Sequence, residues 1–366
     1  MTQRDRYLSA LYLEEPDRVP VADIEILPEL VKKILACDKQ ITGDLMYRQE
    51  DSLRLFIRAY LKVGMDAIPA YYTYMEPPKI SSKEERLDVV VAGVFDRYEI
   101  AHPPTGTSDK GGAWKIVGQV KTIEDFEKIC EKMPKVNATA QIKVIQEETK
   151  DVDMPICGTI FGGYLLSCVL MGLEDVIVSP YKNPSLLKKM IDYLADWQTE
   201  IGLEMIDAGA DSIMIGEDFA DSRGIFMSPR HFREFILPAL KRQTQKLKKK
   251  SVPVILHHCG NISSVLEDIV NETGADGLQP LQPEAMDIAD AKRHVGDRIC
   301  LWGNISINTL SFGSPEDVAK EVKERIKNCA PGGGYILGSS HSLIDSIKVE
   351  NLYAMVKAAH KYGKYT

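Results

Sequence analysis

Short apolar runs alternate along this chain with longer stretches of helical period. Eight runs predict core strands at residues 19–26, 67–71, 155–161, 211–217, 253–259, 276–281, 299–304 and 335–340. Each is brief, nearly continuous and bounded by Gly, Pro or Asp, the pattern of parallel strands covered on both faces. Amphipathic helices are expected at 184–207, 229–250, 315–328 and 350–360. Two of them follow a Ser-Pro pair, Ser228-Pro229 and Ser314-Pro315. There Ser caps the free N–H groups and Pro occupies the first helical position. Eight strand–helix alternations predict an α/β fold, a (β/α)8 TIM barrel, as a single domain over 1–366. One stretch breaks the rhythm. Residues 77–118 hold two β-rich runs, 87–98 and 114–120, around a turn-rich HPPTGTSDKGG. They read as an antiparallel β excursion inserted after the second strand, either a lid or partner surface over the barrel mouth or a peripheral ornament.

Charge narrows the functions. With 45 Lys+Arg against 53 Asp+Glu the net charge is −8, which leaves no basic face for nucleic acid. The basic run 241–250, KRQTQKLKKK, reads as a solvated helix end more readily than as a docking patch. No apolar stretch has the length of a membrane span, and the N-terminal residues lack a signal-peptide core. A cytoplasmic location without membrane association is expected. The seven cysteines are an odd number and widely scattered, so they are small buried hydrophobes except where one is a ligand or nucleophile.

One run carries the strongest chemical signal. In VILHHCGN, His257 and Cys259 fall on one face of a strand and His258 on the other. An imidazole and a thiolate two residues apart at a strand terminus can chelate zinc. A third donor must come from elsewhere, and His341, in GSSHS at the end of the last strand, is the natural candidate. The fourth strand ends in IGEDFAD. Of its acids Glu217 lies nearest the strand and is expected to serve as metal ligand or proton-handling catalytic group. Aromatic residues stand at other strand ends. Tyr71, Tyr72, Tyr74, Phe219 and Trp302 together are expected to line a substrate pocket for a flat organic molecule.

Six segments resemble uroporphyrinogen decarboxylase and its methyltransferase relatives: DRVPV, GADSIMIGED, SPRHFREFILP, LHHCGN, LWGNI and the GGGYILGSSHS…VENL ending. The similarity spans nearly the whole chain. True decarboxylases carry an early Arg-rich segment and an Asp motif that contact the tetrapyrrole. Here the first strand is VPVADIEI and the second ends in AYYTY. The corrinoid-dependent methyltransferase branch uses H-x-C-G and a later Cys to hold zinc. His257, Cys259 and Gly260 match that motif, and His341 stands where the later Cys would be. The resemblance therefore implies a zinc-dependent methyltransferase, its corrinoid (cobalamin) carried by a partner protein. One thiolate and two imidazoles would leave the metal at about +1, a Lewis acid suited to polarising a methyl ether. The expected substrate is a small O-methylated compound, such as a methoxylated aromatic. Corrinoid-to-thiol methylation, metal-free tetrapyrrole decarboxylation and non-catalytic tetrapyrrole binding are the rivals. The oligomeric state stays open, a homodimer included.

Overall fold

A computed structural model describes residues 1–39, 41, 49–74, 120–131 and 133–365. Its frame is a curled sheet of seven parallel strands that neighbour one another in chain order. They are β1 Ile68–Tyr71, β2 Ile156–Phe161, β3 Ser212–Gly216, β4 Val254–His257, β5 Gly277–Gln279, β6 Cys300–Trp302 and β7 Tyr335–Ile336. Every one falls on an apolar run of the sequence. The eighth run, residues 19–26, forms only isolated parallel bridges, Val21 with Leu337 and Ile26 with Leu343. It reaches the other neighbour through the Asp66 N–H on the Val21 carbonyl at 2.6 Å. Two adjacent residues explain the missing ladder. Pro20 has no N–H, and the Val21 N–H is taken by the Asp66 carboxylate at 2.9 Å. The architecture is mixed α/β and consistent with a TIM-like barrel. The expected excursion at 77–118 lies outside the described residues. Just before it Thr73–Tyr74 pairs antiparallel with Val136–Asn137.

Strand alternation builds two separate cores. Cys157, Met214, Ile255, Cys300, Trp302 and Ile336 turn into the curl of the sheet. Ile213, Ile215, Val254, Leu256, Leu278 and Leu301 turn out against the helices. The helix Gln3–Leu11 closes the end of the inner core where the strands begin, contributing Tyr7, Ala10 and Leu11. The Tyr7 hydroxyl meets Ser212 Oγ at 3.0 Å, and its ring stands edge-on to Trp302 at 5.9 Å. Beside it Arg6 and Arg18 both bind the buried Asp66, at 2.8 and 2.7 Å. Every charge in that cluster has a partner, as burial requires.

The capping pairs behave as predicted. Ser228 Oγ accepts from the His231 N–H, and Ser314 and Asp317 form a reciprocal capping box. The expected 229–250 helix contains a π turn over Phe232–Ile236. Pro238 follows it and cannot donate to a carbonyl one turn back, so the widened turn accommodates the break. The basic run is a surface face. Lys241, Arg242, Lys246, Lys248 and Lys250 each pair with an acid of a neighbouring element. Among the described residues no single helix is long and apolar enough to cross a membrane. The bent pair Gly163–Met171 and Leu173–Lys182 passes on composition, but the first of these is buried throughout.

Candidate metal centre at the carboxyl ends of the strands

The inner row of side chains becomes polar toward the carboxyl ends of the strands. In register across the sheet, Phe161 lies opposite Gly216, Gly216 opposite His257, and His257 opposite Gln279. Gly216 leaves its place in this row to Phe161, whose ring lies 3.2 Å from where a Cβ would stand. His257 and Cys259 share the inner face, with Sγ and Nε2 4.0 Å apart. His258 faces the other way. It is buried beside Phe219, neither ring nitrogen has a partner, and burial pushes its pKa down to about 3.

The backbone after β4 is fixed by its surroundings. Gly260 has φ +90°, and a Cβ there would lie 2.5 Å from the Asp221 carbonyl. Only glycine serves such a left-handed, crowded turn without strain. The Asn261 N–H donates to that carbonyl at 2.7 Å, and the Gly260 N–H to Gln282 Oε1 at 2.8 Å. The hairpin of Ala220–Asp221 and Gly224–Ile225 thus buttresses the Cys259 turn.

The two adjacent acids that follow β3 part company. Glu217 is 1% exposed, and its carboxylate accepts from the N–H groups of Tyr164 and Leu165, both at 2.9 Å. It sits where a side chain on Gly162 would be, against the positive end of the Gly163–Met171 helix. Burial nonetheless raises its pKa to about 8. Asp218 points the other way. Its Oδ1 accepts from the Cys259 N–H at 2.9 Å and stands 3.7 Å from His257 Nε2.

Asp218, His257 and Cys259 therefore bring a carboxylate oxygen, an imidazole nitrogen and a sulfur within 4.8 Å of one another. Zinc bonds of about 2.0–2.3 Å in a tetrahedron place donors roughly 3.3–3.6 Å apart. The 3.7 and 4.0 Å separations are slightly open, and the donor set suits that metal. His257 is prepared for it. Its Nδ1–H donates to Gln279 Oε1, which leaves the Nε2 lone pair facing Asp218 and Cys259. Burial, with Asp218 alongside, pushes the Cys259 thiol well up, so metal binding must displace a proton.

His341, expected as third donor, is not in this group. It follows β7, and its carbonyl receives a short bond from the Ser339 hydroxyl. That hydroxyl also lies 2.5 Å from the buried Asp23 carboxyl, whose pKa burial raises to about 7.

The aromatic expectations divide by strand phase. Tyr71 is inward by register, its hydroxyl on the Ile24 carbonyl, and Trp302 is inward as part of the inner core. Tyr72 packs against Trp197 and its hydroxyl accepts from Gln198, while Phe219 lies tilted against Phe232 outside the inner row. Tyr74 belongs to the short pair with 136–137, and its side chain is outside the described residues. Asp218, Gln279 and Gln282 were not singled out from sequence. Asp218 was accessible by counting alternation from Gly216.

Residues 109–362 match the family described as uroporphyrinogen decarboxylase (URO-D). The methylcobamide:CoM methyltransferase MtaA of Methanosarcina barkeri is 28% identical over 221 residues, 60% of this chain. The chain spans 62% of that relative's length. The uroporphyrinogen decarboxylase of Shewanella piezotolerans is 23% identical over 99% of this chain and 98% of its own. Among solved structures, a methyltransferase from Methanosarcina mazei superposes with a TM-score of 0.72 at 20% identity, covering 99% of both chains. A putative vitamin-B12 independent methionine synthase from Listeria monocytogenes gives 0.50 at 12% identity, covering 96% of this chain and 97% of that one.

Proposed function

This chain belongs to the uroporphyrinogen decarboxylase family, and from that membership we propose that it is a corrinoid-linked methyltransferase with one zinc site. The carrying observation is the convergence of Asp218, His257 and Cys259 at the strand ends. A decarboxylase of a polycarboxylated tetrapyrrole needs cations there, and none of the inward-facing side chains named above is cationic. The chain forms one cytoplasmic domain. It closes the seven-stranded sheet into an eight-membered ring through residues 19–26.

Each residue has its task. His257 presents Nε2 because Gln279 holds its other nitrogen. Asp218 is aimed by the Cys259 N–H. Glu217, expected as ligand or proton carrier, instead ties the end of β3 to the helix Gly163–Met171. Tyr71 and Trp302 line the pocket, while Tyr72 and Phe219 support it from outside. Bound here, zinc supplies Lewis acidity toward an ether oxygen. The methyl group would leave the ether oxygen of a small O-methylated donor for the reduced cobalt(I) of a corrinoid on a partner protein, giving methyl-cobalt(III) and the alkoxide or phenolate, which takes up a proton to leave as the alcohol or phenol.

A second reading has its own support. Asp218 and the Cys259 thiolate together bring the metal to about zero charge, not the +1 of a two-imidazole set. That favours a thiol-directed reaction, as does the similarity to MtaA. Metal analysis and methyl-transfer assays with cobalamin test both. About one zinc per chain is expected, lost in Asp218→Ala, His257→Ala and Cys259→Ser and retained in His341→Ala and His258→Ala. Loss of metal in His341→Ala with retention in Asp218→Ala would restore His341 as third ligand. Methylation of a small thiol without ether demethylation would move the assignment to the second reading.

A further inference from the structure

Two carboxamides reach the metal group from the β5 side. Gln279 bonds His257, and Gln282 bonds the backbone directly after Cys259. Gln282 Oε1 lies 2.8 Å from the Gly260 nitrogen. That contact fixes which way the amide is turned. The Gly260 nitrogen can only donate, so the oxygen of Gln282 faces it and the –NH2 group takes the other arm of the carboxamide. The Gly260 contact is the one hydrogen bond of this side chain among the described residues. Gln282 is half-buried, and its Nε2 is not among the buried side-chain atoms that lack a bond, so this nitrogen meets solvent.

It does so beside the metal donors. In an amide the nitrogen lies about 2.3 Å from the oxygen, which keeps Nε2 within about 5 Å of the Gly260 nitrogen. Solvent also reaches the three donors. The His257 and Asp218 side chains are 14% and 24% exposed, and Cys259 is half-buried. Asp218, Gln279 and Gln282 are the side chains that bond this turn from the neighbouring strands. Asp218 is an acceptor, and the Gln279 amide nitrogen is buried. Gln282 alone of the three brings an open N–H.

We propose that Gln282 is a catalytic residue whose Nε2–H donates to the oxygen from which the methyl group departs. The inference rests on the methyltransferase reading and deepens it. As the carbon–oxygen bond breaks, the methyl group goes to cobalt(I) and the electron pair stays on the oxygen. An ether oxygen carries little charge and accepts weakly. The departing alkoxide or phenolate accepts strongly, so the N–H stabilises the transition state more than the bound ether. The hydrogen stays on nitrogen throughout, and water supplies the proton that completes the alcohol or phenol.

The test compares the charged product 4-nitrophenolate with its uncharged ether, 4-nitromethoxybenzene, as ligands of the zinc-loaded protein. Calorimetry gives the affinities, and absorbance follows ionisation of the bound phenol. In Gln282→Met, a neutral side chain of similar length, the phenolate should bind about tenfold more weakly than to native protein and the bound phenol should ionise about one pH unit higher. Ether affinity and zinc content should not change. Gln282→Glu keeps a strong acceptor for the Gly260 N–H and loses the donor, and it too should lose the preference for phenolate with zinc retained. If Gln282→Met loses zinc, or weakens ether and phenolate alike, the side chain only braces the turn and the proposal falls. It falls also if Gln282→Glu keeps the preference, or if native protein shows none. Methyl transfer to reduced cobalamin is read separately. The Gln282→Met loss in kcat should be about 100-fold for methoxybenzene and smaller for 4-nitromethoxybenzene, whose departing oxygen carries less charge. Equal losses overturn the proposal. A phenolate preference that depends on Gln282, without transfer from either ether, would overturn the enzyme reading and leave Gln282 an oxyanion donor.

Discussion

The two ends of the sheet hold polar groups on opposite terms. Where the strands begin, Arg6, Arg18, Asp17 and Asp66 are mutually paired, and Tyr7 reaches Ser212. Pairing with Arg6 pulls the Asp17 pKa down to about 2. Where the strands end, Gln279, Asn304 and Thr159 carry unpartnered atoms, and burial lifts Asp23 to about 7 and Glu217 to about 8. The groups named at one end are all paired; at the other Gln279, Asn304 and Thr159 keep atoms without a partner, although Glu217 and Asp23 are bonded to backbone N–H groups and to Ser339. That division is the general one in barrels between a stability face and an active face.

The largest expected effect is at the paired end. Asp66→Ala leaves the buried Arg6 with Asp17 alone and takes the carboxylate from the half-buried Arg18, and should cost about 3–5 kcal/mol in urea unfolding, with zinc per folded chain unchanged. Equal loss of metal and stability would erase the distinction between the ends. Next comes pH. The Asp23 carboxyl is raised, so its contribution favours folding below the unfolded value near 3.8 and is lost as pH rises toward about 7. Asp23→Asn should match native stability near pH 4 and exceed it by about 1–3 kcal/mol at pH 8. Asp17 has the opposite sign. Its contribution is present above the unfolded value and falls away as pH drops toward about 2. If the Asp23→Asn difference did not vary with pH, burial would not be what the carboxyl feels. The smallest effect is Tyr7→Phe, which removes one buried hydroxyl contact and should cost about 1 kcal/mol by thermal unfolding without touching metal content.

The strands were legible because a parallel strand covered on both faces must be a short apolar run, and the turn residues at its ends mark where it stops. Residues 19–26 show the limit, since apolarity does not reveal that Pro20 and the Asp66 contact deprive the segment of its ladder. His257 and Cys259 were legible because alternation keeps its phase within one strand. Choosing between Glu217 and Asp218 by distance from the strand ignored that phase. Gly216 faces in, so 217 faces out and 218 returns to the inner row. The same rule separates Tyr71 from Tyr72. Gln279 and Asn304 escaped notice for another reason. Amides carry no charge, and in sequence nothing distinguishes a satisfied one from an orphan.

The Gln3–Leu11 helix also bears on how the chain reaches this state. Tyr7 contacts Ser212 across 205 residues, and its ring awaits Trp302, further along still. Val19 takes the carbonyl of Gly363, and Arg18 bridges to Lys364. This segment therefore has no seat until Trp302 and Gly363, far later in the chain, have been made. Such long-range closure slows folding and prolongs exposure of apolar surface. During synthesis Tyr7, Ala10 and Leu11 remain an uncovered apolar stripe that calls for shielding.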